Sequence, residues 1–387
     1  MLTGLSGVFN TVDGWRLDKE IFNFRWENYQ ARFLEITPSI SYAFARKRWM
    51  GKVSFLSQYN KQLQARIYGS IGRNTTDYNQ PNEMPDWINT LSTLTFSSNY
   101  KKLYENDFAT LGHQIEPLNG FKIDLSATYS KRKVLQNHSE QKWLTFLDKE
   151  YTPNIPQHPP HWLERNIYPN DNFKINASIR YTPRQFYKFD NSFSDKNSQY
   201  TKKPLQSKYP TFGVDYEQGI AEVYNSNGDY QFLSLSIQQK FSHYLIDEIA
   251  YHLESGGFLN NKQLSFSDYK SFNTAPFYLT EVKESSFKTM GYYAYNSREQ
   301  YIQAHLQIEN NFILLKHLPY LNKTNLKEEL HFAHLYTSDR KSNYSEVGYS
   351  LNRIFLFVNA GVYVGFENFN YRSTDFRISI NIKDLMD

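Results

Sequence analysis

Cysteine is absent from this chain of 387 residues. Its absence excludes disulfides, thiol catalysis and every Cys-ligated metal site. Long hydrophobic runs are missing too. No stretch approaches the ~18 consecutive apolar residues of a transmembrane helix. Excess charge of one sign is also lacking: the net charge is +4, and no basic run offers an electrostatic footprint for nucleic acid. There is no Gly-rich phosphate loop and no His-Glu-x-x-His metal motif. Met1-Leu2-Thr3-Gly4 lacks the basic start and continuous apolar core of a signal peptide.

Aromatic residues are abundant instead. They make up 17% of the chain, with 31 Tyr and 29 Phe against 6 Trp. The mean hydropathy is −0.66. A polar average is compatible with a membrane barrel, because only alternate strand residues face lipid, while loops and lumen are hydrophilic. Aromatic girdles at both interfaces account for the Tyr and Phe. Composition also fits an aromatic-rich soluble β-protein, so patterning decides.

The pattern is a two-residue rhythm. In Tyr301–Glu309, Ile302, Ala304, Leu306 and Ile308 alternate with Gln303, His305, Gln307 and Glu309. Successive strand side chains point to opposite faces, so one face is apolar and the other polar. The rhythm returns at 34–44, 63–71, 121–129, 173–181, 212–217, 233–238, 248–254, 356–366 and 376–383. Pro38 inside the first of these counts against full pairing, because it has no N–H to donate. Weaker candidates lie at 5–17, 51–60, 106–116, 263–270, 325–338 and 344–352.

The expectation is an all-β fold: a closed antiparallel transmembrane β-barrel of roughly 14–16 strands with long external loops. It occupies residues 1–387 as one domain. Closure follows from the several kcal/mol that each unpaired backbone group costs in hydrocarbon. The last strand therefore needs a partner, expected to be an early one. Three stretches break the rhythm. Residues 74–105 predict a short helix, with Trp87, Leu91 and Leu94 near helical spacing, as an inward plug or a surface loop. Residues 134–171 and 184–209 predict long loops.

Chemistry has few candidates. Arg298, Glu299, His305, Glu309 and Glu346 are the charged or titratable residues expected to face a lumen. There they gate, select or hold a plug, or simply pair with one another in a solvated interior. His158-Pro159-Pro160-His161 supplies two histidines where zinc needs three or four ligands. Ser255 near His252 suggests a nucleophile and base, but spacing alone supplies no third, orienting group. No enzyme, metal or cofactor is expected.

Several segments resemble a Bacteroidota outer-membrane barrel family of unknown function. Its members often carry a signal peptide and a carboxypeptidase-regulatory-like β-domain ahead of the barrel. Asn10-Thr11-Val12-Asp13-Gly14 resembles the family's "N-x-V-E-G" opening. Asn99-Tyr100-Lys101-Lys102-Leu103-Tyr104 is similar to "N-Y-x-K-L-Y", and Tyr209-Pro210-Thr211-Phe212 with Tyr216, Gly219 and Ile220 to its "P-T-F" strand. Ser297-Arg298-Glu299-Gln300-Tyr301, Glu309-Asn310-Asn311-Phe312 and Leu318-Pro319 follow its "S-D-R-Y…E-H-x-F…I-P-L" stretch. Tyr344-Ser345-Glu346-Val347-Gly348 matches "Y-x-E-V-G". Here Glu299 departs from the Asp-Arg order, Asn310 stands in place of His, and the final Asp384-Leu385-Met386-Asp387 has no terminal aromatic.

The resemblance implies an outer-membrane barrel of a Gram-negative, Bacteroidota-like bacterium, distantly similar to surface-antigen and assembly barrels. The chain then reads as the membrane-embedded part of a longer exported protein. Its expected partners are outer-membrane lipid and periplasmic or envelope proteins, with no nucleic acid. The leading functional expectation is help in transport or assembly of surface material. The alternatives are a passive pore or structural anchor for a periplasmic domain and, less favoured, a soluble all-β carbohydrate-binding module.

Overall fold

The computed structural model describes residues 5–28, 32–144, 149–156, 167–191, 200–243, 246–281, 285–311, 313–314, 324, 326–354 and 357–380. His158–His161, Phe312, Leu318-Pro319, Leu356, Ile382-Lys383 and the final Asp384–Asp387 lie outside them. Among the described residues, eighteen strands belong to one sheet. The chain divides into two compact units.

The first unit comprises residues 1–207, 213–233 and 258–269. It carries β1 (Leu5–Asn10), β2 (Gly14–Glu20), β3 (Phe24–Glu27), β4 (Phe33–Ala43), β5 (Arg48–Asn60), β6 (Ala65–Asp77), β7 (Leu103–Leu118), β8 (Phe121–Val134) and β9 (Asn170–Tyr181). They pair antiparallel in the order β1–β2–β4–β5–β6–β7–β8–β9, with β3 also against β4. Residues 184–209, expected as loop, contain a separate antiparallel hairpin of β10 (Tyr187–Asn191) and β11 (Tyr200–Pro204). Then come β12 (Thr211–Ile220), β13 (Asp229–His243) and β14 (Ile246–Gln263).

Pro38 sits inside β4 without breaking it. On one side it lies opposite Val53 of β5. On the other, β2 pairs only from Ser39 onward and β3 only up to Ile36. The Pro38 carbonyl accepts Ile21 N–H at 2.9 Å across this gap. The N–H and C=O of one antiparallel-strand residue point to the same neighbour. Proline's missing donor therefore falls where no strand asks for it.

The helix expected within 74–105 is α1 (Asp86–Phe96). Its buried side is Ile88, Asn89, Ser92, Thr93 and Leu94, while Trp87 is partly exposed. Of the residues at helical spacing Leu94 is buried and Trp87 is not, and the helix also bonds its neighbours through polar groups. Phe9 N–H donates to Thr90 Oγ1 at 2.9 Å, and Lys101 N–H donates to Asn89 Oδ1 at 3.1 Å. Residues 135–156 include a segment hooked onto this helix. Trp143 N–H reaches Leu94 O at 2.8 Å, and Thr152 is clasped by Asn99 and Asn137.

The second unit comprises residues 208–212, 234–257 and 270–387. It carries β15 (Leu279–Glu281), β16 (Tyr301–Asn310), β17 (Lys327–Thr337), β18 (Ser342–Ile354), β19 (Val358–Glu367) and β20 (Asn370–Ile380). From β14 the antiparallel order is β14–β16–β17–β18–β19–β20. The end of β20, Ile378–Ile380, pairs in parallel with β15. The strand expected at 263–270 is not formed: β14 ends at Gln263, and Phe266–Asp268 is a 3-10 turn. The count exceeds the expected 14–16 because β3 and β15, of four and three residues, are too short to show a rhythm. Without them, sixteen of the eighteen remain.

The two strand faces have the polarity the rhythm implies. On β16, Ile302 is 54% exposed, whereas Gln303 and His305 are 6% and 3% exposed. Ile71, Leu111, Leu125, Leu235, Leu259, Val347 and Val362 are likewise exposed. On β18 the buried set is Ser342, Tyr344, Glu346, Gly348, Ser350 and Asn352. The buried face is polar and the exposed face apolar, the reverse of a protein folded in water.

Candidate functional site

Register gathers a polar patch on the buried face of the second unit. His305 on β16 lies opposite His252 on β14 and Ala333 on β17. Ala333 in turn lies opposite Glu346 on β18, and His331 is two residues along β17 on the same face. The His252 and His305 rings stack with centroids 6.1 Å apart. His331 Nε2 lies 3.7 Å from a Glu346 oxygen.

Residues 285–295 lie against this patch, and Glu346 pins them there. Its carboxylate accepts Lys288 N–H at 2.6 Å, Thr289 N–H at 2.7 Å, Thr289 Oγ1 at 2.9 Å and Tyr344 OH at 2.7 Å. The Phe287 ring rests 4.5 Å from the His305 ring. A second carboxylate, Glu254 of β14, accepts from Lys270 Nζ, Tyr301 OH and Gln303 Nε2. Charge-assisted bonds of this kind are the strong ones. They hold an irregular segment where packing alone gives no repeating ladder.

The structure brings His305 and Glu346 together and leaves the other expected residues elsewhere. Glu309 belongs to a separate group with Lys327 Nζ at 2.8 Å and Asn352 Nδ2 at 2.9 Å. Arg298 and Glu299 are 41% and 43% exposed and only 4.0 Å apart at closest approach. Sequence reasoning set His252 only beside Ser255, met Tyr344 only as part of a family motif, and missed His331, though each sits on the buried-face parity of its strand. It had no signal for Lys288 and Thr289, which belong to no repeat. His252 and Ser255 are three residues apart on one strand and so face opposite ways. The Ser255 hydroxyl donates to Tyr301 O at 3.4 Å. Among the described residues, no group of three or more His, Asp or Glu is placed to hold a metal ion.

The first unit has its own buried networks. Arg132 meets Asp268 with both terminal nitrogens, and Asn172 Nδ2 donates to Asp268 at 3.1 Å. Burial raises the Asp268 pKa, but Arg132 outweighs it and holds the carboxyl below its ordinary value. Asp13, in the Asn10–Gly14 turn, takes Arg46 Nε at 2.7 Å, and Arg46 also meets Glu105 at 2.9 Å. Asn10 Oδ1 accepts the Val12 and Asp13 N–H groups, and Gly14 supplies a φ of 66°. Just before β7, Lys102 donates to Thr152 Oγ1 at 2.6 Å, and burial pushes its amine down to about 7. A cavity of about 710 Å³ is lined by Arg16, Asp18, Glu20, Ser39, Lys52 and Ser54, among others.

These features define an all-β protein with one large antiparallel sheet and segments packed on its polar face. More particularly, the chain belongs to the family of unknown function (DUF5686), whose C-terminal domain matches residues 2–351. A comparison with curated proteins finds no match. Among solved structures it is similar to BamA from Haemophilus ducreyi lacking POTRA domains 1–3, at 10% identity and a TM-score of 0.48, covering 96% of this chain and 68% of that one. CdiB from Acinetobacter baumannii is similar at 12% identity and a TM-score of 0.41, covering 97% and 58%. Wzi from Escherichia coli, an outer-membrane protein involved in group 1 capsule assembly and a carbohydrate-binding β-barrel, is similar at 8% identity and a TM-score of 0.35, covering 97% and 78%. No helix among the described residues is long and apolar enough to cross a membrane, which says nothing about strands.

Proposed function

We propose that this chain is a closed outer-membrane β-barrel whose polar interior is occupied by its own segments, and that it helps to move or assemble surface material. The carrying observation is the polarity of β16 and its neighbours: Ile302 and Val347 are exposed, while His305 and Glu346 are buried. In water each such exposed Ile, Leu or Val forgoes about 1.5–3 kcal/mol of burial. Hydrocarbon removes that cost. It also requires every backbone group to be paired, which favours closure. The resemblance to Bacteroidota barrels points to a Gram-negative outer membrane, with lipid and periplasmic or envelope proteins as partners.

Residues 285–295 on the second unit's polar face and α1 within the first favour a filled lumen over a passive pore. Purified protein is expected to stay folded only in detergent or lipid and to conduct ions poorly in a planar bilayer. A folded monomer in detergent-free buffer would overturn the membrane reading. Large steady conductance would favour the pore. Deletion in the native host is expected to change the surface proteome, and an unaltered envelope would end the assembly reading.

A further inference from the structure

We propose that the exposed apolar band of the first unit is bordered, at the end where α1 lies, by a cationic rim that holds the phosphate groups of anionic lipids. The inference rests on the membrane reading above and adds which lipid is held and where. On β5 the exposed face runs from Trp49 through Val53 to Tyr59. From Trp49 to Tyr59 a strand tilted by about 40° rises about 26 Å, the height of an apolar membrane band. Val53, Ile71, Ala109, Tyr129 and Phe173 lie in one row across β5 to β9. Two residues further along the same face, the row reads Gly51, Arg73, Asp107, Lys131 and Asp171. In one step of the pleat the face turns from apolar to charged.

The β4–β5 turn stands at the same end. Tyr42 gathers Phe44 and Trp49, with ring centroids 4.9 Å and 4.6 Å away, and Phe44 and Trp49 are exposed. Lys47 N–H closes the turn on Phe44 O at 3.2 Å. Aromatic rings with a cation beside them suit the headgroup zone of a bilayer. Charge here is unbalanced. Glu105 is shared among Arg46, Arg48, Arg73 and Lys133, at 2.9, 3.2, 3.7 and 3.4 Å. Asp107 meets Arg73 and Lys133, and Asp171 accepts Tyr129 OH at 2.9 Å. The exposed ammonium groups of Lys47 and Lys131 form no ion pair among the described residues. Lys47, Arg48, Arg73, Lys131 and Lys133 thus outnumber their carboxylates, and a lipid phosphate supplies the missing charge.

The opposite end of the band is built differently. Phe22, Phe24 and Trp26 are exposed there, and β3 sets Trp26 against Leu34 of β4, which pairs with Ser57 near Tyr59. Its cation is already engaged. Arg25 lies over the Phe33 ring at 4.6 Å and pairs with Glu27 at 3.3 Å and Glu35 at 3.7 Å. That arginine has no charge to spare. Both borders therefore have rings for the interface, and the one at the β4–β5 turn adds selectivity for negative headgroups.

Brominated lipids quench tryptophan on contact, so the two borders can be read separately. Full-chain variants keep only Trp49 or only Trp26, with the other tryptophans changed to Phe, in phosphatidylcholine vesicles. Dibrominated phosphatidylglycerol or dibrominated phosphatidylcholine is then titrated in. At Trp49 the anionic lipid is expected to reach half-quenching at about fivefold lower mole fraction, the factor given by about 1 kcal/mol for one basic residue at an anionic surface. At Trp26 the two lipids should quench alike. Lys47→Gln should reduce the Trp49 preference and Lys47→Arg should keep it. If the single-tryptophan chains fail to fold, the difference between the native chain and Trp49→Phe carries the same signal. Equal quenching at Trp49, the same anionic preference at Trp26, or a preference undiminished in Lys47→Gln would overturn the rim and leave the membrane reading standing. Quenching by neither lipid at either tryptophan would overturn both.

Discussion

Glu346 shows how much one side chain can organise. Two of its four donors are backbone N–H groups of a segment with no ladder of its own. Removing the carboxylate leaves both unpaired in a dry place, each at about 1–3 kcal/mol. Glu346→Ala is therefore expected to destabilise the protein by about 3 kcal/mol or more, measured by guanidinium unfolding in micelles. Lys102 gives a prediction of opposite character. Burial lowers its pKa from 10.5 to about 7. Between those values the unfolded chain binds the proton and the folded chain does not. Raising the pH through this window therefore favours folding, by at most about 1.4 kcal/mol per unit from this group. The cost of burying the charged amine is fully present below about pH 7. Lys102→Met is expected to flatten the slope of unfolding free energy against pH between 7 and 10.

At the scale of elements, the strand faces decide the solvent. Ile302→Lys is expected to cost about 2–4 kcal/mol if this face meets lipid near the midplane, and less than about 0.5 kcal/mol if it meets water. Unfolding titrations in vesicles separate the two. Alternation made this face legible in β4, β8, β9 and β16, because a buried polar side imposes period two on every residue. It did not reveal β3 or β15, which are shorter than two periods, nor the 3-10 turn at Phe266–Asp268. Residues 285–295 were invisible for a different reason. They are buried through single long-range bonds, such as Lys288 to Glu346, which leave no mark on neighbouring residues. The candidate site was accordingly half legible: His305 and Glu346 stood out as polar positions on apolar-patterned strands, while their covering partners did not. Glycine adds a further test. A Cβ on Gly348 would fall 2.1 Å from the Tyr363 ring, so Gly348→Ala is expected to displace that tyrosine, seen as altered near-ultraviolet dichroism.

For the whole molecule, composition and architecture agree. A mean hydropathy of −0.66 is paid back by polar side chains turned inward, leaving the apolar minority to face outward. Such a chain is expected to run differently on a denaturing gel when unheated and when boiled, provided lipid or detergent has kept the sheet intact. Identical mobility of a verified folded sample would argue against a closed sheet. The absence of cysteine makes any single introduced thiol a unique reporter for the remaining distances.

Pro38 has a consequence beyond β4. The gap between β2 and β3 is a notch where a strand from another molecule could dock. That visitor would meet no donor at Pro38, and its carbonyl is already held by Ile21. The notch is thus insulated against edge-to-edge aggregation.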